Sequence, residues 1–226
     1  MSGGRDAVLR TVRASLAAAR LPPATSPDPP SAVRAADDPA TLVERFAAEL
    51  AAAGGTVHGP LQAGAAREAA LAVVRGTGAR QVLAWTADQL PLPGLLDAVA
   101  AAGPSLCDPD LPTAPDARRE RLRALAEAGV GLTGADAGLA DTGSLVLSSG
   151  PGRPRLAWLL PPVHVALLPV AALLPDMATY FARRPGAAAG SANLVFVTGP
   201  SRTADIELIL TRGVHGPRHL HVVLVG

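Results

Sequence analysis

Cysteine is nearly absent from this chain of 226 residues, because Cys107 is the only one. Counting therefore excludes a disulfide framework within the chain, and it excludes an iron–sulfur cluster held by the chain's own thiolates. A free cysteine usually behaves as a small apolar side chain. Cys107 follows Leu106 near a predicted strand end, so we interpret it as a structural residue and not as a nucleophile.

Aromatic residues and net charge are also scarce, at 3% of residues and +1. Proteins that bind nucleic acid usually present a basic field, a set of stacking aromatic rings, or both. This composition indicates neither feature, so we predict no nucleic-acid partner.

Long apolar segments without proline are lacking as well. The uncharged segment 156–175 has the length of a bilayer-spanning helix, roughly 20 residues. Prolines interrupt this segment, and each one removes a helical hydrogen bond and clashes with the preceding turn. They are Pro161, Pro162, Pro169 and Pro175. We therefore predict no membrane span. The first residues, MSGGRDAVLR, lack the apolar core of a secretory signal, so we expect a cytoplasmic location.

Helical and strand patterns alternate along the chain. The apolar spacing predicts helices over residues 5–20, 41–53, 65–75, 95–101 and 116–127, and strands over residues 56–58, 81–85, 105–107, 130–133, 163–168 and 219–225. This alternation is typical of βαβ units in an α/β fold with a mostly parallel central sheet flanked by helices. We predict an N-terminal helix with a proline-rich linker over residues 1–37 and one domain over residues 38–226.

The first candidate site lies in the loop that follows residues 194–197. That apolar run predicts a buried strand of the parallel sheet, and residues 206–212 have the spacing of a helix that ends at Gly213. Backbone N–H groups, hydroxyls and a guanidinium at the start of a helix favour an anion site. The loop residues are Thr198, Gly199, Pro200, Ser201, Arg202 and Thr203. In the alternative, Ser201 or Thr203 is only an N-cap, and Asp205 and Glu207 only complement the helix dipole.

The second candidate site is the turn Asp141, Thr142, Gly143 and Ser144, which joins two short apolar runs as in a β-hairpin. The turn offers a carboxylate, hydroxyls and backbone N–H groups to a small polar ligand. A plain turn without function explains the same residues equally well. We expect the bends at Gly143 and Gly199 to converge and form a pocket for a small anion.

Histidines and loop arginines give weaker signals. His215 lies in a loop and is a further candidate for ligand binding, whereas His164 has the pattern of a core histidine bonded to a backbone carbonyl. His219 and His221 alternate on the last strand without a third ligand, so no metal site is predicted. Arg153 and Arg155 either gate an acidic substrate or belong to a solvated loop, and the solvated loop is the commoner case.

Three segments in the C-terminal half form an ordered set of motifs. They are GADAGLADTGSLVLSS at residues 134–149, PPVHVALLP at residues 161–169, and TGPSRTADIE followed by GVHGP at residues 198–207 and 213–217. In sequence and in order, they resemble motifs of the LUD-domain family of lactate-utilisation proteins. Family members often carry Glu where Asp141 stands, and the aspartate of this chain has the shorter side chain.

The resemblance implies a fold like that of the CoA-transferase and sugar-phosphate-isomerase superfamily. It also implies a non-redox subunit of a system that oxidises L-lactate to pyruvate, with iron–sulfur clusters only on the partner proteins. In the alternative, the chain is a stand-alone enzyme that transfers an acyl or phosphoryl-type group. Glu207 or Asp205 would then act as base or nucleophile, and Arg202 would hold the anion.

Overall fold

The computed structural model describes residues 3–19, 38–204 and 210–226. The chain divides into two compact units, residues 1–32 and 33–226. In the first unit, helix α1 spans Gly3–Ala18, and its apolar side chains Val8, Val12 and Leu16 are exposed. No helix in the described ranges is both long enough and apolar enough to cross a membrane.

The second unit contains five α-helices among its described residues. They are α2 (Pro39–Ala52), α3 (Ala63–Gly76), α4 (Leu95–Ala101), α5 (Pro115–Ala126) and α6 (Met177–Arg183). Short 3-10 helices span Ala87–Gln89, Arg155–Trp158 and Val170–Ala172. Proline stands at the start of α2 and α5, where its missing N–H has no helical partner to lose.

The central sheet has six strands, and all of its pairs are parallel. These strands are β1 (Thr56–Leu61), β2 (Gln81–Ala84), β3 (Ser105–Leu106), β4 (Val130–Gly134), β7 (Val163–Pro169) and β12 (His219–Val225). Their order across the sheet is β1-β12-β7-β4-β2-β3. Nearly all residues of β4 and β7 are buried, including the polar residues Thr133 and His164, as expected for strands of a parallel sheet that is covered on both faces. The predicted α/β fold with a mostly parallel central sheet is confirmed.

A second sheet has four strands in the order β8-β5-β6-β9. They are β5 (Ala137–Leu139), β6 (Ser144–Ser149), β8 (Leu173–Leu174) and β9 (Asn193–Val197). Strands β5 and β6 pair antiparallel, and Leu139 lies opposite Ser144. The hairpin predicted around residues 141–144 is therefore confirmed.

The predicted position of β9 in the parallel sheet is wrong. This strand pairs antiparallel with β6 in the second sheet, and all five of its residues are only partly buried. Val195 and Val197 pack against the main hydrophobic core, whereas Leu194 and Phe196 pack against a smaller cluster around Tyr180. The strand reads as a continuous apolar run because its two faces contact two different clusters.

The predicted helix over residues 206–212 is also wrong at its C-terminal end. Leu210–Arg212 forms strand β11, which pairs antiparallel with β10 (Arg202–Ala204). Residues 205–209, including Asp205 and Glu207, lie outside the described residues. The apolar residues Ile206, Leu208 and Leu210 recur every second position, and that spacing also fits a strand.

Candidate functional site

A crevice between β2 and β4 follows from the order of the central strands. Strands β2 and β4 are neighbours in this sheet. The next central strand after β2 is β3, which pairs with the far side of β2, and the next central strand after β4 is β7, which pairs with the far side of β4. In open α/β sheets, the carboxyl ends of strands at such a reversal form a crevice where ligands bind. Trp85 follows β2 at this edge, and Ala135 and Asp136 follow β4.

An ion pair between the buried Asp136 side chain and the half-buried Arg153 side chain lies at this edge. Nη1 of Arg153 donates to Oδ1 of Asp136 at 2.7 Å, and the Asp136 side chain is only 8% exposed. The hydroxyl of Ser148 donates to Oδ2 of the same carboxylate. Nε of Arg153 donates to Oε1 of Gln89 at 2.6 Å. The carboxylate is thus compensated by a cation and by hydrogen bonds, as a buried charge requires.

The turn that precedes Arg153 explains its position. Gly152 has a φ of 71°, which favours glycine, and a Cβ there would collide with the Thr86 hydroxyl. The Gly152 carbonyl accepts the backbone N–H of Thr86 at 2.9 Å, and this bond ties the turn to the end of β2. The Arg153 guanidinium lies 5.0 Å from the centre of the Trp85 ring, within cation–π range. Arg153 therefore does not belong to a solvated loop, the commoner case expected from sequence.

Two cavities border the Asp136–Arg153 pair, and Pro169 lines both of them. The first, which we call the Arg153 cavity, has a volume of about 220 Å³ and is lined by Trp85, Asp88, Gln89, Gly134, Ala135 and Arg153. The second, the Arg184 cavity, has a volume of about 280 Å³ and is lined by Asp136, Ala171, Ala172, Leu174, Arg183 and Arg184. Among the described residues, the hydrogen bonds of the Arg153 side chain use Nε and Nη1, so Nη2 is free to donate to a ligand.

Two titratable groups near these cavities have pKa values that differ from their ordinary values. Hydrogen bonds from the Thr86 and Gln89 side chains lower the pKa of Asp88, so this carboxyl group stays ionised. Burial raises the pKa of Tyr180, and the negative charge of Asp136 raises it further. The Arg184 guanidinium lies 5.8 Å from the centre of the Tyr180 ring.

The two bends that the sequence singled out do converge. The Ser144 hydroxyl lies 2.6 Å from the Thr198 hydroxyl and 2.8 Å from that of Thr142. Oδ1 of Asp141 accepts from Thr142 at 3.2 Å. Gly143 and Gly199 both have positive φ and pack against the C-terminal end of α2. A Cβ on Gly143 would collide with the backbone of Leu50, and a Cβ on Gly199 with the carbonyl of the C-cap residue Ala53. The convergence is therefore part of the packing against α2.

Arg202 is engaged in the same packing. Its guanidinium donates to the carbonyl of Ala53, the C-cap residue of α2. Gly54, with a φ of 88°, leaves room for it, since a Cβ there would lie 2.5 Å from Nη2 of Arg202. A cation on the last carbonyls of a helix complements the negative end of its dipole. This contact accounts for Arg202 without a bound anion.

A third cavity, which we call the Ser201 cavity, has a volume of about 320 Å³, and Ser201, Arg202 and His215 are among its lining residues. Ser201 donates its N–H to the Pro217 carbonyl at 2.9 Å, and its hydroxyl accepts from the N–H of His215 at 3.4 Å. Pro200 is buried, and Thr203 lies in β10. The walls of this cavity are largely apolar and include Trp158, Leu159, Val195, Phe196, Val197, Thr198 and Gly199.

The histidines of the core and of the strands do not form a metal site among the residues that the structure describes. Nε2 of His164 lies 2.8 Å from the Thr133 hydroxyl, so the partner is a hydroxyl and not the backbone carbonyl expected from sequence. Burial lowers the pKa of His164 to about 3, which keeps the ring neutral. His58 and His221 lie 3.1 Å apart between ring nitrogens. Among the described residues, no group of three or more His, Cys, Asp or Glu side chains is arranged to hold a metal ion.

Comparison with known proteins identifies relatives for most of the chain. The family model of the LUD domain matches residues 43–225. Lactate utilization protein C of Halalkalibacterium halodurans is 43% identical over 103 residues, which cover 43% of this chain and 45% of that protein. The protein of the same name from Shouchella clausii is 34% identical over 147 residues, covering 62% of this chain and 60% of its own length. The chain thus spans about half the length of the curated relatives it matches.

A solved structure resembles the fold. A DUF162 family protein from Deinococcus radiodurans superposes with a TM-score of 0.57 at 19% identity, and the match covers 84% of this chain and 99% of that one. The similarity supports the α/β architecture described above.

Proposed function

This chain belongs to the LUD domain family, and on that premise we propose that it is a component of lactate utilisation that binds a small carboxylate at the carboxyl ends of β2 and β4. The names of the relatives support the first part of the proposal. The observation that carries the second part is Arg153, a half-buried cation that is held in place on three sides and keeps a free donor beside a cavity.

The geometry favours a small carboxylate because Arg153 is already oriented. Its Nε and Nη1 atoms are fixed by Gln89 and Asp136, so a ligand on Nη2 orders little additional protein structure. A guanidinium donates strong, charge-assisted hydrogen bonds to carboxylates. A volume of about 220 Å³ lies below the range of drug-sized sites, roughly 300–1,000 Å³, and suits a ligand of few atoms such as lactate or pyruvate.

The chain acts, in this proposal, without carrying electrons itself. It supplies one thiol, Cys107, whereas iron–sulfur clusters are held by about four thiolates. The redox chemistry then belongs to iron–sulfur partner proteins, and this subunit holds or delivers the organic acid. Asp136 is engaged by Arg153 and Ser148, so we assign no proton transfer to it.

Calorimetric titration of the purified chain with L-lactate and with pyruvate tests the ligand site. Arg153→Ala is expected to weaken binding by about 1.5–3 kcal/mol, as for a lost charged hydrogen bond. Arg155→Ala is the matched control, because Arg155 is an exposed arginine two residues away. Equal affinities of wild type and Arg153→Ala, or no heat with either acid, would remove the ligand site from the proposal.

Tryptophan fluorescence gives a second readout at the site. The chain has two tryptophans. Trp158→Phe leaves Trp85, whose ring contacts the Arg153 guanidinium, as the only tryptophan, and excitation selective for tryptophan reports on it alone. Saturating lactate is expected to change the emission of this variant, and Arg153→Ala is expected to abolish the change.

The proposed role in an assembly is tested separately. The tagged chain, expressed in cells that use lactate, is expected to co-purify with proteins that show iron–sulfur absorbance, and the isolated chain is expected to turn over neither CoA esters nor phosphorylated acids. Steady turnover by the isolated chain would support the stand-alone transferase instead.

A further inference from the structure

The Arg184 cavity is lined by Asp136, the partner of Arg153, and it shares Pro169 with the Arg153 cavity. We infer that it is a second anion subsite, and that the preferred ligand of the whole site is a short dicarboxylate. Such a ligand is a 2-hydroxy or 2-keto acid with a second carboxylate in place of one methyl hydrogen of lactate or pyruvate. This inference rests on the proposed function, because it places the first carboxylate at Arg153.

Positive charge is in excess in the Arg184 cavity. Arg183 has no ion pair within the part of the chain that the structure describes, and Arg184 approaches only Asp136, at 3.9 Å. Asp136 is already paired with Arg153 at the shorter distance of 2.7 Å. One carboxylate therefore serves two guanidinium groups, Arg153 and more distantly Arg184, and Arg183 adds a third positive charge beside the cavity.

The Arg184 guanidinium is partly fixed even though its side chain is 53% exposed. It lies against the ring of Tyr180, a buried residue one turn earlier in α6. Tyr180 itself packs edge-on against Phe181 and Phe196. A cation held over an aromatic ring loses less freedom when it binds an anion than a freely rotating side chain does.

The two subsites are close enough for a short ligand. Nη1 of Arg153 and Nη1 of Arg184 both approach the same oxygen atom, Oδ1 of Asp136, at 2.7 and 3.9 Å. Pro169 lines both cavities, so they adjoin one another at this residue. The other walls of the Arg184 cavity are small and apolar, at Ala171, Ala172 and Leu174, and they suit the short carbon chain of such an acid.

The test compares acids that differ only in the second carboxylate. L-malate is compared with L-lactate, and oxaloacetate with pyruvate, by calorimetric titration of the full chain. We expect each dicarboxylate to bind about tenfold more tightly than its monocarboxylate, as for one additional charged hydrogen bond. Adipate, whose carboxylates are farther apart than those of malate, is expected to bind no more tightly than lactate.

A double variant, Arg183→Ala with Arg184→Ala, is expected to bring malate to the affinity of lactate while lactate itself binds as in wild type. Arg118→Ala with Arg119→Ala is the matched control, since these arginines are exposed on α5. Its titrations are expected to match wild type for both acids.

The results separate this inference from the proposed function. Equal affinities for malate and lactate in wild type, with both lost in Arg153→Ala, would overturn the second subsite and leave the first. A malate advantage that persists in the double variant would also overturn it. If Arg153→Ala binds lactate and malate with wild-type affinity, the proposed function is overturned as well.

Discussion

Arg153 and Asp136 are 17 residues apart in sequence, and they meet through a 2.7 Å ion pair at the carboxyl edge of the central sheet. The pair joins the end of β4 to the turn after β6, and Gln89 extends the network to the segment after β2. Three connections of the α/β unit therefore converge on one guanidinium. Arg153 lines the first cavity, and its partner Asp136 lines the second.

Asp136→Asn is expected to destabilise the protein. The substitution leaves the half-buried Arg153 without a counter-charge, and we expect a loss of about 1–3 kcal/mol in the free energy of unfolding. Urea denaturation measures this change. Asp116→Asn is the control, because its partner Arg119 is at the surface and such pairs contribute about 0–1 kcal/mol. Equal stabilities of the two variants would contradict a structural role for the ion pair.

Arg202→Ala separates the two candidate ligand sites. Because Arg202 binds the C-terminal carbonyl of α2, we expect its loss to lower the free energy of unfolding by about 0.5–1.5 kcal/mol. Lactate affinity is expected to stay at the wild-type value. A lactate affinity that falls in Arg202→Ala and not in Arg153→Ala would instead assign ligand binding to the loop of residues 198–203.

Asp88→Asn is expected to strengthen carboxylate binding. Asp88 lines the Arg153 cavity and stays ionised, so it repels an anion there. Removal of this exposed charge is expected to raise lactate affinity about two- to fivefold, with the effect shrinking at high salt. Titrations at low and high ionic strength measure it. An unchanged or weaker affinity would indicate that the anion does not enter this cavity.

Stability is expected to fall as the pH drops below about 6.5, in part because of His164. Burial holds its pKa at about 3 in the folded protein, below the value of roughly 6.5 in an unfolded chain. Between these two pKa values the unfolded state binds a proton at His164 that the folded state does not bind. The contribution of His164 to the free energy of unfolding is therefore fully present above pH 6.5 and decreases progressively toward pH 3. His58 and His221, whose pKa values burial also lowers, act in the same direction.

Urea denaturation between pH 5 and pH 7 measures this dependence. His164→Gln keeps a polar partner for the Thr133 hydroxyl and cannot titrate, so its stability is expected to depend less steeply on pH than that of wild type. Parallel curves for the two proteins would show that His164 does not contribute.

Much of the fold was predictable because it depends on local patterns. Apolar runs such as Val163–Pro169 and the helical spacing of residues 65–75 report which side chains are buried, and their alternation indicates parallel strands with crossover helices. The turn at Gly143 was predictable for the same reason, since backbone conformation there is set by adjacent residues. The likeness of three ordered segments to the LUD domain likewise identified the family from sequence.

The tertiary structure alone decided which loops meet. The apolar run over residues 194–197 cannot by itself distinguish a strand of a parallel sheet from β9, whose two faces contact separate clusters. The sequence also does not reveal that Arg202 contacts Ala53, 149 positions away, or that Arg153 is half-buried in an ion pair with Asp136. Local patterns record whether a side chain is buried, whereas the partner of a charged side chain depends on the order of strands across the sheet, which only long-range packing fixes.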